Sequence, residues 1–370
     1  MDRNAGKEAS GGLVMDTSVF RVSFPAGFRP LVERLVERDY GKDSVLGGDE
    51  SALLIGIKGN FKFSAYFQGA ALVLDSVATA GLEEAFRLFS QGLNQPEPKR
   101  AMIRVARDKL FARGGRLETF ALRGFIRNEP SFPGAAAREA LEAAVSRLTG
   151  LRPESERPDV ELSVALRDDG RAYFTAAARF PAPKIGRDAG SLPAATARLL
   201  CELSMAGQED VFLDPFAGSG SIPLERALMS PYKMIFTGDV DTVKVAELKE
   251  KLKDPVFKRK ARSIFPKILD ARDLSRFEDA LFDTIVSDPP WGDWEGLTDD
   301  ELVQLYADFL KGAQRVLKPG GRLVLLAGRT NALERARDQV SPDAGTWRVR
   351  EEFLVLVSGK KARALRWERA

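Results

Sequence analysis

Residues 285–292 read Ile-Val-Ser-Asp-Pro-Pro-Trp-Gly, and the groups of this segment suit the alkylation of a flat exocyclic amine. Such an amine is a poor nucleophile because its lone pair is delocalised into the adjacent ring. The Asp288 carboxylate and the backbone carbonyl of Pro289 can accept its two N–H bonds and free that lone pair. Pro289 and Pro290 have no N–H to interfere, and Trp291 offers a flat apolar face for stacking a base. We therefore predict a catalytic loop made of Asp288, Pro289, Pro290 and Trp291.

A glycine-rich turn upstream of this loop is typical of a site for a nucleoside cofactor. Residues 211–220 form a predicted apolar strand that runs into a turn with Gly218 and Gly220 and then into a helix. Asp239 ends the next predicted strand, where an acid binds ribose hydroxyls in sheets of this kind. This pattern alone suits NAD and S-adenosylmethionine equally.

Two residues favour S-adenosylmethionine. Pro223 occupies the position of the third glycine of a dinucleotide site, and Asp214 would repel a diphosphate but attract the ammonium and sulfonium groups of S-adenosylmethionine. Asp270 is placed to accept a hydrogen bond from the adenine amine. Taken singly, each acid is better explained as a turn residue at a strand end. Acids at the ends of four successive predicted strands together favour a site.

Composition excludes several classes of chemistry. The 370 residues are 44% hydrophobic and 29% charged, which is typical of a folded globular protein. Because the chain has no histidine and one cysteine, Cys201, a zinc site, histidine-based catalysis and an intrachain disulfide are excluded. We predict no metal, although carboxylate-bound magnesium is left open. Without a bilayer-length apolar run or a signal-peptide pattern, the sequence predicts a cytoplasmic protein with no membrane partner.

Basic residues are concentrated in two stretches although the net charge is only +3. Residues 99–127 contain the cations that we predict to contact RNA phosphates, namely Lys99, Arg100, Arg104, Arg107, Arg113 and Arg123. A second group of lysines and arginines lies within residues 249–267. For either cluster alone, a solvated helix face explains the pattern equally well.

Periodicity divides the chain into an α+β half and an α/β half. Residues 20–95 alternate between strand-like and helix-like patterns, including a predicted strand at 62–68, and a Pro-rich boundary follows. A helix, strand and hairpin pattern continues to residue 181. The remainder predicts a doubly wound sheet. Its predicted strands are 211–214, 234–239, 264–270, 284–287, 321–327 and 352–358.

Five motifs together resemble the THUMP-associated RNA methyltransferases. They are Asp-Pro-Phe-Ala-Gly-Ser-Gly (214–220), Gly-Asp-Val-Asp (238–241), Asp-Ala-Arg-Asp-Leu (270–274), Ser-Asp-Pro-Pro-Trp-Gly (287–292) and Arg-Val-Leu-Lys-Pro-Gly-Gly-Arg-Leu-Val (315–324). The resemblance implies methyl transfer from S-adenosylmethionine to the exocyclic N2 amine of a guanosine, mostly in tRNA and in some members in ribosomal RNA. It also implies residue roles, with Phe216 and Gly218 lining the cofactor, Asp239 holding the ribose and Asp270 the adenine.

The complete predicted cofactor site is Asp214, Phe216, Gly218, Gly220, Asp239, Val240, Asp270 and Ala271. One departure from the family concerns the target base, because Trp291 stands where many relatives have Tyr or Phe. The predicted division of the chain is a disordered tail (1–19), a ferredoxin-like α+β domain (20–95), a THUMP-like RNA-binding domain (96–181) and a class I methyltransferase domain with a Rossmann-like doubly wound sheet (182–370).

We expect a monomer. Some members of the family use a small accessory protein, and the sequence does not decide whether this chain needs one. Other substrates offer an NH₂ group to the same acceptors: guanine in ribosomal RNA, an adenine or cytosine amine of nucleic acid, and a glutamine amide. Two further alternatives are a non-catalytic RNA-binding protein with a vestigial cofactor fold and a nicotinamide-dependent oxidoreductase.

Overall fold

The computed structural model describes residues 17–59, 61–95, 117–127, 129–177, 191–229, 231–292, 296–340 and 346–370. These residues form two sheets, one in each half of the chain. No helix within the described ranges is long and apolar enough to cross a membrane.

Within the described residues, the N-terminal sheet has nine strands. They are β1 Thr17–Ser23, β2 Val45–Asp49, β3 Ala52–Lys58, β4 Gly69–Ala78, β5 Thr119–Ile126, β6 Glu129–Pro130, β7 Arg152–Pro153, β8 Val160–Leu166 and β9 Arg171–Ala177. Their order is β2-β3-β1-β4-β9-β8-β5-β6, with β7 paired to β5. Helices of this half are α1 Arg29–Tyr40, α2 Leu82–Leu93 and α3 Ala135–Thr149. The amphipathic α2 buries Phe86 and Phe89 against the sheet, where the Phe89 ring stacks on Phe174 of β9.

One sheet contains strands from both segments that the sequence divides at residue 96. β4, from the first segment, pairs antiparallel with β9, from the second, so that Val73 lies opposite Thr175. The predicted boundary itself falls in residues 96–116, outside the described residues. The pairing joins the segments predicted to be ferredoxin-like and THUMP-like through backbone hydrogen bonds.

Two expectations for the N-terminal half are wrong. Residues 17–19, assigned to the disordered tail, belong to β1 and pair with residues 56–58 of β3, since the alternation of buried side chains extends to Ser18. Residues 62–68, predicted as a strand, have no regular structure. The aromatic side chains of this segment pack in a cluster with the preceding Phe61, which stacks on Phe20 and on Phe67, and Phe67 meets Tyr66 edge-on.

The C-terminal sheet confirms the predicted doubly wound methyltransferase-type fold. Its strands are β10 Val211–Asp214, β11 Met234–Asp239, β12 Ile264–Ile268, β13 Phe282–Ser287, β14 Leu317–Ala327, β15 Trp347–Val357 and β16 Lys360–Arg369. The order is β12-β11-β10-β13-β14-β16-β15. The first five strands are parallel, whereas β16 is antiparallel to both β14 and β15. Parallel strands place their carboxyl ends at one edge, where such sheets bind ligands.

Helices cover both faces of this sheet. They are α4 Ala194–Leu203, α5 Ser221–Met229, α6 Thr242–Lys251, α7 Asp299–Val316 and α8 Thr330–Val340, with 3-10 turns at Pro255–Phe257 and Ala261–Ser263. The chain starts α7 with a capping box, in which Thr298 and Glu301 exchange side-chain to backbone hydrogen bonds. The capping box fixes the first turn of α7, and Tyr306 further along this helix contacts the loop that follows β13.

The two halves share one apolar core. The larger core cluster runs from the N-terminal sheet to one face of the C-terminal sheet, where it includes Val286 and Val324. At the junction, the Leu356 N–H donates to the Ala26 carbonyl (3.2 Å), and the ring centroids of Phe28 and Phe353 are 6.0 Å apart. The opposite face of the C-terminal sheet packs in a second cluster.

Candidate active site

The carboxyl ends of four neighbouring parallel strands bring the predicted acids to one edge of the C-terminal sheet. Asp214 ends β10, Asp239 ends β11, and Asp288 directly follows β13. Asp270 lies two residues beyond the end of β12, because the strand stops at Ile268 rather than continuing to the acid. The fold therefore gathers residues that are up to 74 positions apart in the sequence.

Hydrogen bonds join these strand ends side by side. They run from the Leu269 N–H to the Asp239 carbonyl (3.0 Å), from the Ala217 N–H to the Gly238 carbonyl (2.9 Å) and from the Ser287 hydroxyl to Asp214 Oδ1 (2.5 Å). The acids consequently have fixed backbone positions relative to one another.

Asp214 is the most buried of the four acids, with 1% of its surface exposed. Its Oδ1 accepts hydrogen bonds from the Ser287 hydroxyl and from the Phe216 N–H (3.3 Å). Its Oδ2 is buried and has no hydrogen-bond partner among the described residues. Burial, with a smaller contribution from the charges of Asp239 and Asp288, raises the pKa of Asp214 to about 8. An unsatisfied buried carboxyl oxygen is costly unless a ligand completes it.

The turn at residues 214–220, which we call the glycine turn, is held by Asp239. The Gly218 N–H donates to Asp239 Oδ2 (2.8 Å), and the Asp241 N–H donates to Oδ1 (3.0 Å). Gly220 has a φ of +99°, and a Cβ at this position would lie 2.3 Å from Leu248 Cδ1. Only glycine therefore fits where the turn enters α5.

Three other predicted cofactor residues lie in the glycine turn or near it, and their side chains differ in exposure. Phe216 is half-buried and meets Phe309 of α7 edge-on, with ring centroids 5.2 Å apart. Val240 is 61% exposed, whereas Ala271 is buried. Val240 directly follows Asp239, so its exposed side chain lies beside the acid that we predict to hold the ribose.

Asp270 forms an ion pair that the sequence reasoning did not include. The Arg272 guanidinium contacts both carboxylate oxygens (2.6–3.0 Å), and the Arg272 N–H donates to Oδ1. These hydrogen bonds lower the pKa of Asp270. An adenine amine would share this carboxylate with Arg272.

The loop at residues 288–292, which we call the target loop, is anchored by its own indole. Trp291 Nε1 donates a hydrogen bond to Asp288 Oδ1 (2.9 Å). The indole packs against Gly328, directly after β14, and a Cβ on Gly328 would lie 2.4 Å from Trp291 Cε3. Trp291 is half-buried and contacts the larger core cluster. The Nε1 group of Trp291, the predicted stacking residue, is therefore already hydrogen-bonded within the protein, and part of its ring is packed against Gly328.

The two prolines of the target loop differ in their carbonyl contacts. The Pro290 carbonyl accepts a hydrogen bond from the hydroxyl of Tyr306, a buried residue of α7. The Pro289 carbonyl accepts none within the described residues, which suits its predicted role as an acceptor for a substrate N–H.

The predicted RNA contacts fall almost entirely outside the described residues. Lys99, Arg100, Arg104, Arg107 and Arg113 all lie in 96–116. Arg123 lies on β5, where its guanidinium donates to the Ser155 carbonyl (2.9 Å). Its role in RNA binding remains a prediction.

Four contact residues of the site were not found by sequence reasoning: Ser287, Arg272, Tyr306 and Gly328. Ser287 and Arg272 are immediate neighbours of the motif acids and could have been inspected for that reason. Tyr306 and Gly328 reach the target loop only through the folding of α7 and β14, and the sequence contains no local signal for either.

No group of three or more acids or cysteines within the described part of the chain could hold a metal ion.

Comparison with known proteins finds similarity to a methyltransferase domain in the C-terminal half. The family model of the RMKL-like methyltransferase domain (UPF0020) matches residues 186–363. A tRNA (guanine(6)-N2)-methyltransferase from Thermus thermophilus is 33% identical over 221 residues, which are 56% of this chain and 62% of that protein. A tRNA (guanine(10)-N2)-dimethyltransferase from Methanothermobacter thermautotrophicus is 30% identical over 178 residues, 48% of each chain. The alignments thus span less than two thirds of these curated relatives.

The whole fold is similar to a solved structure. The crystal structure of TrmN from Thermus thermophilus matches 95% of this chain and 100% of that chain with a TM-score of 0.74 at 23% identity. This likeness establishes the arrangement of both halves.

Proposed function

We propose that the protein transfers a methyl group from S-adenosylmethionine to the exocyclic N2 amine of a guanosine in tRNA. The observation that carries the proposal is the junction of the two loops, where the Ser287 hydroxyl binds Asp214 of the glycine turn and Asp288 of the target loop comes next in the chain. A methyl donor bound at the glycine turn and an amine bound at the target loop would then lie at adjacent strand ends. The names of both curated relatives point to guanine N2 in tRNA.

The residues of the glycine turn fit S-adenosylmethionine, which would supply an activated methyl group. Asp214 Oδ2 is a buried acceptor that a cofactor ammonium group would complete. Asp239 accepts one N–H at each oxygen, and a carboxylate oxygen has room for a second donor such as a ribose hydroxyl. A Cβ on Gly218 would meet nothing within 4 Å, so the backbone there is open to a ligand.

The target loop supplies the groups for the amine. Asp288 would accept one N–H of the amine and the Pro289 carbonyl the other, which restores the lone pair. When nitrogen takes the methyl group and S-adenosylhomocysteine is released, Asp288 would accept the displaced N–H proton and so relieve the positive charge on nitrogen. Tyr306 holds the loop through the Pro290 carbonyl, so these acceptors are positioned before the substrate binds. Most of the rate enhancement would therefore come from orientation.

We further propose that the N-terminal half holds the tRNA, with Arg123 and the basic residues 99–113 facing the phosphates. A tRNA substrate is compatible with the predicted cytoplasmic location. The monomeric state, the accessory protein and the location remain predictions.

Incubation of the purified protein with methyl-labelled S-adenosylmethionine and unmodified tRNA transcripts tests the proposal. Nucleoside mass spectrometry should find the label in N2-methylguanosine or N2,N2-dimethylguanosine. A transcript with inosine at the mapped position is the matched control, because inosine lacks only the exocyclic amine. Label in an adenine or cytosine amine would overturn the guanine assignment. Binding of S-adenosylmethionine without transfer to any RNA would identify a non-catalytic protein.

A further inference from the structure

We infer that Trp291 is a positioning residue that orients the Asp288 carboxylate through its indole N–H, in addition to stacking on the base. The inference rests on the proposed function and extends it to the orientation of the acceptor. The starting observation is the hydrogen bond from Trp291 Nε1 to Asp288 Oδ1 (2.9 Å). An indole N–H is a donor only, so its direction determines where one carboxylate oxygen must lie.

The indole is itself held by a slot at the end of the neighbouring strand. A Cβ on Gly328 would lie 2.4 Å from Trp291 Cε3 and 2.5 Å from Cδ2, so the ring occupies the space of the missing side chain. Gly328 directly follows β14, the strand next to β13, which carries the target loop. The ring also contacts the larger core cluster. The position of the chain after β14 therefore fixes the indole, and the indole N–H in turn fixes the orientation of the Asp288 carboxylate.

The backbone of the target loop is fixed independently of the indole. Tyr306 donates to the Pro290 carbonyl, between Asp288 and Trp291 in the chain. The substitution of Trp291 therefore leaves this support in place, and its effect can be assigned to the side chain.

Fixing one oxygen by a protein donor sets the plane of the carboxylate. A carboxylate has about four acceptor directions, and one indole N–H uses a single direction. The amine then meets an acceptor whose orientation requires no rearrangement during the reaction. Phenylalanine at this position would stack on a base equally well but would not orient the acid.

Trp291→Phe separates the two roles because it keeps an aromatic ring and removes the N–H. We expect kcat for methylation of an unmodified tRNA transcript to fall roughly 10- to 100-fold, the effect of losing a hydrogen bond to a charged group. KM for the transcript and the affinity for S-adenosylhomocysteine should stay within about threefold of wild type, because stacking and the glycine turn are preserved.

Trp347→Phe is the matched control. Trp347 lies on β15, and its buried Nε1 has no hydrogen-bond partner among the described residues. The same chemical change there should leave kcat unchanged.

Gly328→Ala should disrupt the hydrogen bond between Trp291 and Asp288 without changing either residue, because the new Cβ would displace the indole. It should lower kcat to a similar extent, and the double variant with Trp291→Phe should be no slower than the slower single variant. Gly81→Ala is its control, because a Cβ on Gly81 would meet nothing within 4 Å.

The outcomes separate the inference from the proposed function. If Trp291→Phe keeps wild-type kcat, or raises only KM, Trp291 is a stacking residue and the inference is overturned while the function stands. If the effects of Trp291→Phe and Gly328→Ala multiply in the double variant, the two residues act separately and the inference is likewise overturned. If the wild-type protein methylates no tRNA, the proposed function fails, and the inference fails with it.

Discussion

The glycine turn and the target loop follow adjacent parallel strands, yet they are built by different means. The glycine turn is fixed by its own backbone conformation, with Gly220 at a φ of +99°, and by the hydrogen bond from the Gly218 N–H to the Asp239 carboxylate of β11. The target loop is held by side chains from other elements, through Tyr306 of α7 and the packing of Trp291 on Gly328. A single hydroxyl, that of Ser287, joins the two.

This difference implies that the two loops control different steps. A change in the glycine turn should act on cofactor affinity, because we propose that the backbone there forms the binding surface. A change in the target loop should act on turnover, because we propose that this loop supplies the acceptors for the amine. Variants that affect both quantities equally would show that the loops are not separable.

The largest expected effect is that of Asp288→Ala. Removal of the acceptor carboxylate should lower kcat by about 10²- to 10⁴-fold, the range typical of a group that handles a proton in the transition state. Affinity for S-adenosylhomocysteine, measured by isothermal titration, should stay within about twofold. Turnover close to that of wild type would refute the role of Asp288.

Gly220→Ala should produce an intermediate effect on the other loop. A side chain at this φ is strained by about 1–2 kcal/mol, and the Cβ would also press on Leu248, so S-adenosylhomocysteine should bind at least about tenfold more weakly. Combining Gly220→Ala with Leu248→Ala should recover part of the affinity, since it relieves the contact and leaves the backbone strain. Wild-type affinity in the single variant would contradict a backbone-defined turn.

The smallest effect concerns the pH dependence of stability in the ligand-free protein. Because burial raises the pKa of Asp214 to about 8, the folded chain keeps this proton between pH 4 and pH 8, where the unfolded chain has lost it. The stabilisation is therefore complete at low pH and is lost as pH rises towards 8.

Comparison with Asp214→Asn isolates this contribution, because asparagine cannot titrate. Between pH 5 and pH 8, the free energy of unfolding of the wild type should fall by about 1 kcal/mol per pH unit more than that of the variant. Urea titrations at several pH values measure the difference. Parallel curves for the two proteins would show that the pKa of Asp214 is not raised.

The methyltransferase half was largely predictable because its strands are buried, short and separated by clear turns. The expected strands 211–214 and 234–239 agree with β10 and β11 to the residue, and the family resemblance is confirmed by the match over residues 186–363. β16 was not predicted, since its alternation is obscured by charged residues that pair across to β15, such as Arg366 with Glu351.

The N-terminal half was less predictable because long-range packing decides it. The aromatic alternation of residues 62–68 predicted a strand but reflects an aromatic cluster, and β4, which follows, was not predicted. The pairing of β4 with β9 joins residues about 100 positions apart and leaves no local signal.

Some residues of the candidate site were likewise predictable from the sequence and others were not. Sequence motifs identified the acids at the strand ends because each belongs to a local pattern of strand, turn and acid. They did not reveal that Arg272 already engages Asp270 or that Gly328 makes room for Trp291, because those contacts depend on side-chain conformation and on a distant strand.

The β4–β9 pairing also determines which fragments of the N-terminal half we expect to fold. A fragment that ends near residue 95 would leave the edge of β4 without its hydrogen-bonding neighbour, and a fragment that starts there would do the same to β9. Truncated pieces of this region should therefore aggregate in expression trials, whereas residues 17–177 should resist limited proteolysis as one unit within their strands. If this region holds the tRNA, as we propose, a swap of RNA specificity between homologues would have to exchange residues of both segments together.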